Sequence, residues 1–212
     1  PGIVVDALVR SAQRHPGVKF LLHGDEAQLR PLLEKRGKLA AITESRHRAE
    51  RVRMEDPPSI VLRRGRNTSM WRAIECVATK EAEVAISAGN TGALMAMSRY
   101  QLGMIEGIER PAIAALWPTK KAQSIVLDVG ANVDTSDEQL VDFAIMGAAF
   151  ARAIFNVDKP SVGLLNVGSE DMKGNDAVKG AAHILRNSSL TLEYAGFVEG
   201  DDISEGTVDV VV

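Results

Sequence analysis

Cysteine occurs once in this sequence, at Cys76, so no disulfide can form within the chain and a secreted scaffold held by disulfides is excluded. Aromatic residues make up only 4% against 45% hydrophobic residues in all, which favours aliphatic parallel strands packed between helices over an aromatic-rich sandwich. No apolar run approaches the roughly 18 residues that cross a bilayer. The first residues also lack the charged and apolar regions of a signal peptide. A cytoplasmic protein is expected, with peripheral association at the inner face of the membrane left open. Cys76 lies in a helical pattern beside Ile74 and Val77 without a nearby base, and reads as core rather than nucleophile.

Charge is present but unevenly placed. The formal net charge is -3, yet from Arg30 to Arg72 there are 12 Lys and Arg against 5 Asp and Glu, and from Ser124 to Val212 there are 5 against 15. A basic surface of this kind steers acidic partners, although its reach is about 10 Å at ordinary salt. Solvated helix faces give the same counts. Neither G-x-G-x-x-G nor a P-loop G-K-[ST] ending occurs, so dinucleotide and nucleoside triphosphate binding lose their main support. The four histidines, His15, His23, His47 and His183, sit in unlike settings and form no zinc spacing.

Helical and strand patterns alternate along the 212 residues, which suits one large domain. A helix is expected over Ile3 to Arg14, and another after Asp25, with Gln28 placed as in a capping box. Short apolar strands are expected at Val18–Leu22, Val84–Ser87, Ile113–Leu116, Ile125–Asp128, Val162–Asn166 and Thr207–Val212. The strongest helix starts at Ser136 with Gln139 reaching back, and carries the stripe Leu140, Phe143, Ala144, Gly147, Phe150, Ala151 and Ile154. Parallel strands joined by right-handed helical crossovers give an α/β fold, a three-layer α/β/α sandwich with a mainly parallel sheet. Pro1 opens just before a helix and Val212 closes inside an apolar strand, so a piece incomplete at both ends is expected.

In such sheets ligands bind beyond the carboxyl ends of the strands, which directs attention to three polar loops. Ser87-Ala88-Gly89-Asn90-Thr91-Gly92 opens a helix; its glycines admit a ligand to the backbone, and the helix start attracts an anion such as phosphate. A tight turn with Asn90 or Thr91 as cap is the plain alternative. Asp128 to Asp134 holds two carboxylates without a histidine, a weak magnesium pattern, and Asn132, whose amide can donate without adding charge. The loop Asn166 to Asn175 places Lys173 near a helix start, where the dipole disfavours a cation, so the lysine is either solvated or aimed at an anion. Arg110 precedes Pro111, a rigid entry that can fix a guanidinium at the sheet edge or an internal ion pair.

Taken in order, Ile86-Ser-Ala-Gly-Asn-Thr-Gly-Ala-Leu-Met-Ala96, Glu109-Arg-Pro-Ala112, Leu127-Asp-Val-Gly-Ala-Asn132, and Gly163-Leu-Leu-Asn-Val-Gly-Ser-Glu170 with Lys173-Gly-Asn175 resemble the phosphate acyltransferases that act on acyl-carrier protein. The resemblance extends through Gly206 to Val212. It implies an isocitrate/isopropylmalate-dehydrogenase-like fold, a homodimer and transfer of a long acyl group from the carrier thioester to inorganic phosphate, giving acyl phosphate for phospholipid synthesis. No cofactor, metal or nucleic acid is implied.

On this reading Asn90, Thr91 and Gly92, with donors of the same turn from Ser87 and Gly89, bind phosphate. Lys173 neutralises charge and is oriented by Glu170; Asn132 and Asn166 supply amide contacts; Arg110, Asp128, Gly174 and Asn175 shape the substrate site. The basic stretch Arg46 to Arg66 is the expected carrier-docking face, and it also departs furthest from the family pattern. Three rivals remain: an acetyl- or butyryltransferase-like enzyme using coenzyme A thioesters, a metal- and NAD-dependent dehydrogenase of the same broad fold, and a fragment that only binds carrier protein or lipid.

Overall fold

The computed structural model of the chain describes residues 1–170 and 172–212. Where the sequence suits one domain, the chain divides by internal contacts into two compact units, Pro1–Gly103 and Met104–Val212.

The first unit runs α1 (Gly2–Arg14), β1 (Phe20–Gly24), α2 (Glu26–Glu34), α3 (Gly37–Ala40), β2 (Thr43–His47), α4 (Pro58–Arg64), a 3-10 turn at Gly65–Asn67, α5 (Ser69–Ala78) and α6 (Thr91–Leu102). Strands β1 and β2 pair in parallel from Phe20 opposite Thr43 to Gly24 opposite His47, with α2 and α3 in the crossover. Asp25 caps α2 by accepting from the Ala27 N–H at 3.1 Å, while the Gln28 amide donates to the Asp25 carboxylate at 2.8 Å instead of accepting from the Asp25 N–H, so the helix is capped without a capping box. One apolar cluster gathers Val5, Leu22, Leu29, Leu33 and Leu39; a second joins Val61, Met70, Trp71, Ile74, Ala93 and Met97 across α4, α5 and α6.

One expectation fails in this unit, and one strand has no counterpart in the sequence reading. Val84–Ser87 is not a strand: Val84 is 69% and Ile86 86% exposed, and a short apolar run cannot form a ladder unless a neighbouring edge receives it. Conversely β2, Thr-Glu-Ser-Arg-His, is a strand with too little apolar alternation to be read as one.

The second unit holds β3 (Ala115–Pro118), β4 (Gln123–Val126), α7 (Asp137–Phe155), β5 (Ser161–Leu165), α8 (Asp176–Arg186), β6 (Glu193–Val198), α9 (Gly200–Glu205) and β7 (Val210–Val211). Its strands form one sheet in the order β3-β4-β7-β5-β6, parallel except for β3, which pairs antiparallel with β4 at the edge. The α/β class with mainly parallel sheets is thus as the sequence indicates.

Adjacent residues of β7 show why the sheet is apolar on both faces. Val210 joins the large cluster with Ile125, Leu164, Ala144, Ala148 and Ala151, whereas Val211 packs with Val198, Val208 and Ile203 of α9. Alternation along the strand sends successive side chains to opposite faces, and both faces are covered. Helix α7 begins as expected, with Ser136 accepting from the Gln139 N–H at 3.3 Å and Gln139 accepting from the Ser136 N–H at 3.2 Å. Its buried stripe is Val141, Phe143, Ala144, Gly147, Ala148 and Ala151, while Phe150 and Ile154 stay partly exposed, so the predicted stripe is turned by part of a residue toward the small side chains.

Gly147 sets the approach of α7 to the sheet. A Cβ there would lie 2.5 Å from Val210 Cγ1 and 2.7 Å from Leu127 Cδ1, both buried. Gly147→Ala gains about 1 kcal/mol of helix propensity but overpacks a β-branched neighbour at about 1–3 kcal/mol. A net loss of about 1 kcal/mol is expected, seen as a lowered urea midpoint at unchanged m-value; a raised midpoint would show that the helix can lift without cost.

Candidate functional site

In the second unit the chemistry-bearing loops meet at one edge of one sheet. Strands β4 and β5 are parallel and separated only by β7, so the loops after Val126 and after Leu165 leave from the same edge, about 10 Å apart at the usual strand spacing. Because β3 runs antiparallel to β4, with Ala115 opposite Val126, the segment that enters β3 from Arg110 arrives at that same edge. Arg110, Asp128, Asn132, Asn166, Glu170, Lys173, Gly174 and Asn175 are therefore gathered at the carboxyl rim of the parallel strands.

Asp128 organises the first of these loops. Its carboxylate accepts from Ile113 N–H at 2.8 Å, Ala131 N–H at 3.1 Å, Asn132 N–H at 2.7 Å and Asn132 Nδ2 at 2.9 Å. With these donors converging on it, the carboxylate orients the loop. The Asn132 amide also donates to the Pro111 carbonyl at 3.0 Å, tying the Arg110-Pro111 segment to the loop. Both Nδ2 hydrogens thus have internal acceptors, and the Asn132 side chain has only its oxygen left to offer. Arg110 is exposed at this rim, and its neighbour Glu109 accepts from Gln139 Nε2 at 3.3 Å, which anchors the segment to the start of α7. Burial raises the pKa of the Asp142 carboxyl on that helix, against a hydrogen bond from the Glu109 backbone that lowers it.

The loop after β5 has the same construction. Asn166 Nδ2 donates to the Gly168 carbonyl at 3.0 Å and the Lys173 carbonyl at 3.1 Å, closing the loop on itself. Gly174 has φ +93°, and a Cβ there would fall 2.3 Å from Asn166 Oδ1, so the turn admits only glycine beside that amide. Asn175 is the N-cap of α8, accepting from Val178 N–H at 2.9 Å. The Lys173 side chain lies over Gly168, where a Cβ would come within 2.5 Å of its Cδ, and its Nζ is 3.0 Å from Glu170 Oε1. That hydrogen bond holds the Glu170 carboxyl below the usual carboxylate range. Both side chains are more than half exposed, so the pair is weak as a staple and the ammonium is open to a ligand.

Glu199 escaped the sequence reading. Its Oε1 accepts from Ser169 N–H at 3.1 Å and so fastens the Asn166 loop, while its own N–H donates to Asp202 at 2.9 Å. The spacing Glu199-x-x-Asp202, a capping pattern, was the available signal.

In the first unit the Ser87–Gly92 turn is built around Asn90. This buried side chain caps α6, accepting from Ala93 N–H at 3.0 Å, and donates through Nδ2 toward the carbonyls of Arg53, Met54 and Asp56 at 3.2, 3.0 and 3.0 Å. Ser87 Oγ accepts from Gly89 N–H at 3.2 Å, and Gly89 lies close to Met70. Thr91 and Gly92 are exposed, and as the first two residues of α6 their N–H groups have no acceptor within the helix. The plain alternative for Asn90, a helix cap, is what the side chain does, and the donors left for an anion are those of the backbone.

The arginine-rich stretch divides in the same way. Arg46 is paired with Glu81 and Glu44 and also approaches Cys76 Sγ at 3.5 Å, so it is committed internally, whereas Arg51, Arg53, Arg63, Arg64 and Arg66 are exposed. Cys76 is buried, and burial together with Glu81 raises its thiol pKa, in keeping with a core role. Burial, then Arg46 and Arg48, lower the pKa of His23. Among the described residues no helix is long and apolar enough to cross a membrane.

Known proteins resemble this chain closely. The family model described as fatty acid synthesis protein matches residues 1–212. A phosphate acyltransferase from Parvibaculum lavamentivorans is 53% identical over 213 residues, covering 100% of this chain and 59% of that protein. One from Chelativorans sp. is 54% identical over 214 residues, covering 100% and 61%. The chain therefore spans about three fifths of the length of the curated relatives it matches. The fold is shared with EutD phosphotransacetylase from Staphylococcus aureus, at TM-score 0.58 and 15% identity over 98% of this chain and 81% of that one. It is shared also with a branched-chain phosphotransacylase from Enterococcus faecalis, at TM-score 0.57 and 12% identity over 92% and 79%.

Proposed function

We propose that this chain, which belongs to the fatty acid synthesis protein family, is the major part of an enzyme that moves a long-chain acyl group from acyl-carrier protein to inorganic phosphate, giving acyl phosphate for phospholipid synthesis. The observation that carries the reading is the carboxyl rim of the second unit, where an exposed lysine, an exposed arginine and two amide-locked loops lie along one edge of a parallel sheet.

At neutral pH phosphate is already partly dianionic and attacks a thioester carbonyl without a strong base. The thiol, with a pKa of about 8.5, is a good leaving group. The phosphate oxygen bonds to the acyl carbon, the carbonyl electrons move onto oxygen and return, and the sulfur departs with its bonding pair and takes a proton from water. No enzyme nucleophile is required. What the protein supplies is position and charge. Lys173 stabilises the added negative charge, Glu170 holds the lysine over Gly168, and Arg110 contributes a second cation. Asn132 and Asn166 act by fixing the loops that carry these groups, since their amide hydrogens are already engaged. In the first unit, taken by itself, the exposed N–H groups of Thr91 and Gly92 suit an anion such as phosphate.

The donor is tested by giving the full-length protein phosphate with the same acyl group on carrier protein or on coenzyme A. Faster acyl phosphate formation from the carrier protein is expected, and preference for coenzyme A would replace the donor in this scheme. The exposed arginines from Arg51 to Arg66 form the docking face for the acidic carrier, so raising salt from 50 to about 300 mM should weaken its apparent affinity several-fold through slower association. An unchanged KM for the carrier would rule out electrostatic docking. A homodimer belongs to the same proposal, supported by the large apolar side chains Phe150 and Ile154 left exposed on α7. So does peripheral contact of the cytoplasmic enzyme with the membrane.

A further inference from the structure

Outside the loops described above, the first unit contains an open cavity of about 370 Å³ lined by Arg48, Ala49, Glu50, Asn67 and Arg72. Arg48 and Arg72 are both half-buried. Arg48 directs Nη1 to the His47 carbonyl at 2.6 Å, and among the described residues the rest of its guanidinium fork has no hydrogen bond. Arg72 gives Nη1 to Glu75 at 2.6 Å, but its Nε is buried and has no hydrogen-bond partner among the described residues. A buried guanidinium N–H without an acceptor is costly, and hydrogen bonds to charged groups are among the strongest a side chain makes.

The helix start beside the cavity is not the source of this donor surplus. Ser69 N–H is taken by the Glu50 carbonyl at 3.1 Å and Trp71 N–H by Thr68 Oγ1 at 3.4 Å. The cavity's character comes from its side chains: two guanidinium groups, the exposed amide of Asn67 and one carboxylate, Glu50. A fully deprotonated anion would be repelled by Glu50. An anion that keeps a proton can donate it to that carboxylate while its other oxygens accept from Arg48, Arg72 and Asn67. Inorganic phosphate and phosphate monoesters keep such a proton in part near neutral pH, and sulfate does not.

We propose that Arg48, Arg72, Asn67 and Glu50 form a binding site for a protonated phosphate group, carried either by free phosphate or by a phosphate monoester, separate from the groups assigned to catalysis. The size of the cavity, within the range of small-molecule pockets of about 300–1,000 Å³, leaves room for an ester substituent.

The test follows the side-chain Nε–H resonance of Arg72 in the full-length protein by nitrogen-15 NMR, identified by its loss in Arg72→Lys. Titration with inorganic phosphate or methyl phosphate at pH 6.5 should move this resonance at millimolar concentrations, beyond the effect of sodium chloride at matched ionic strength. Arg48→Ala should weaken the response about tenfold. Lys173→Ala should leave it unchanged, so this site and the catalytic proposal fail separately. A response to phosphate alone identifies free phosphate as the occupant, and a response to methyl phosphate an ester; both support the site. No shift beyond the chloride control, or an equal shift with sulfate, would overturn it.

Discussion

Replacing Lys173 with alanine in the full-length protein is expected to lower acyl phosphate formation about 100- to 1,000-fold at saturating phosphate, the usual loss when one charge-stabilising group is removed from a transition state. The lysine sits at the carboxyl rim, half exposed, paired with Glu170 and with its stem lying across Gly168. Because the pair is exposed, stability should hardly change, and thermal unfolding of the variant should match that of the parent. Arginine at this position should recover part of the rate through charge, but not all of it, since a planar fork replaces a point charge. A Lys173→Ala enzyme with unaltered turnover would remove the lysine from the chemistry.

Asn90→Asp separates two roles that the sequence leaves open. The replacement keeps the oxygen that caps α6 and loses the amide hydrogens directed at the carbonyls of Arg53, Met54 and Asp56. A buried carboxylate would then face three carbonyl oxygens. The expected cost is about 3 kcal/mol, from unsatisfied acceptors and an unpaired buried charge, lowering Tm by several degrees. If Asn90 instead acted only through phosphate, the variant would melt normally and show a raised KM for phosphate.

These contrasts mark what a sequence can and cannot convey. The cap at Ser136 with Gln139, the cap at Asp25, and the apolar cores of β4 and β5 were legible because each depends on residues a few positions apart. The polar loops were legible as loops, and strand order then brought two of them, those after β4 and β5, to one rim with the Arg110-Pro111 segment. Which way each asparagine amide points was not legible. Asn132 meets Pro111 and Asn90 meets Arg53 through contacts 21 and 37 residues away in sequence, and side-chain periodicity carries no record of such partners. Strand β2 was missed because its residues are polar and partly exposed, and Val84–Ser87 was misread because apolar composition alone cannot supply a ladder partner.

Direct attack by phosphate on the thioester is tested most plainly by mixing the full-length protein, in substrate-level amounts, with acyl-carrier-protein thioester and following free thiol with and without phosphate. The account predicts no thiol release above the uncatalysed rate until phosphate is added, then one acyl phosphate for each thiol freed. Stoichiometric thiol release in the absence of phosphate would contradict it, because the acyl group would then have passed to the protein first.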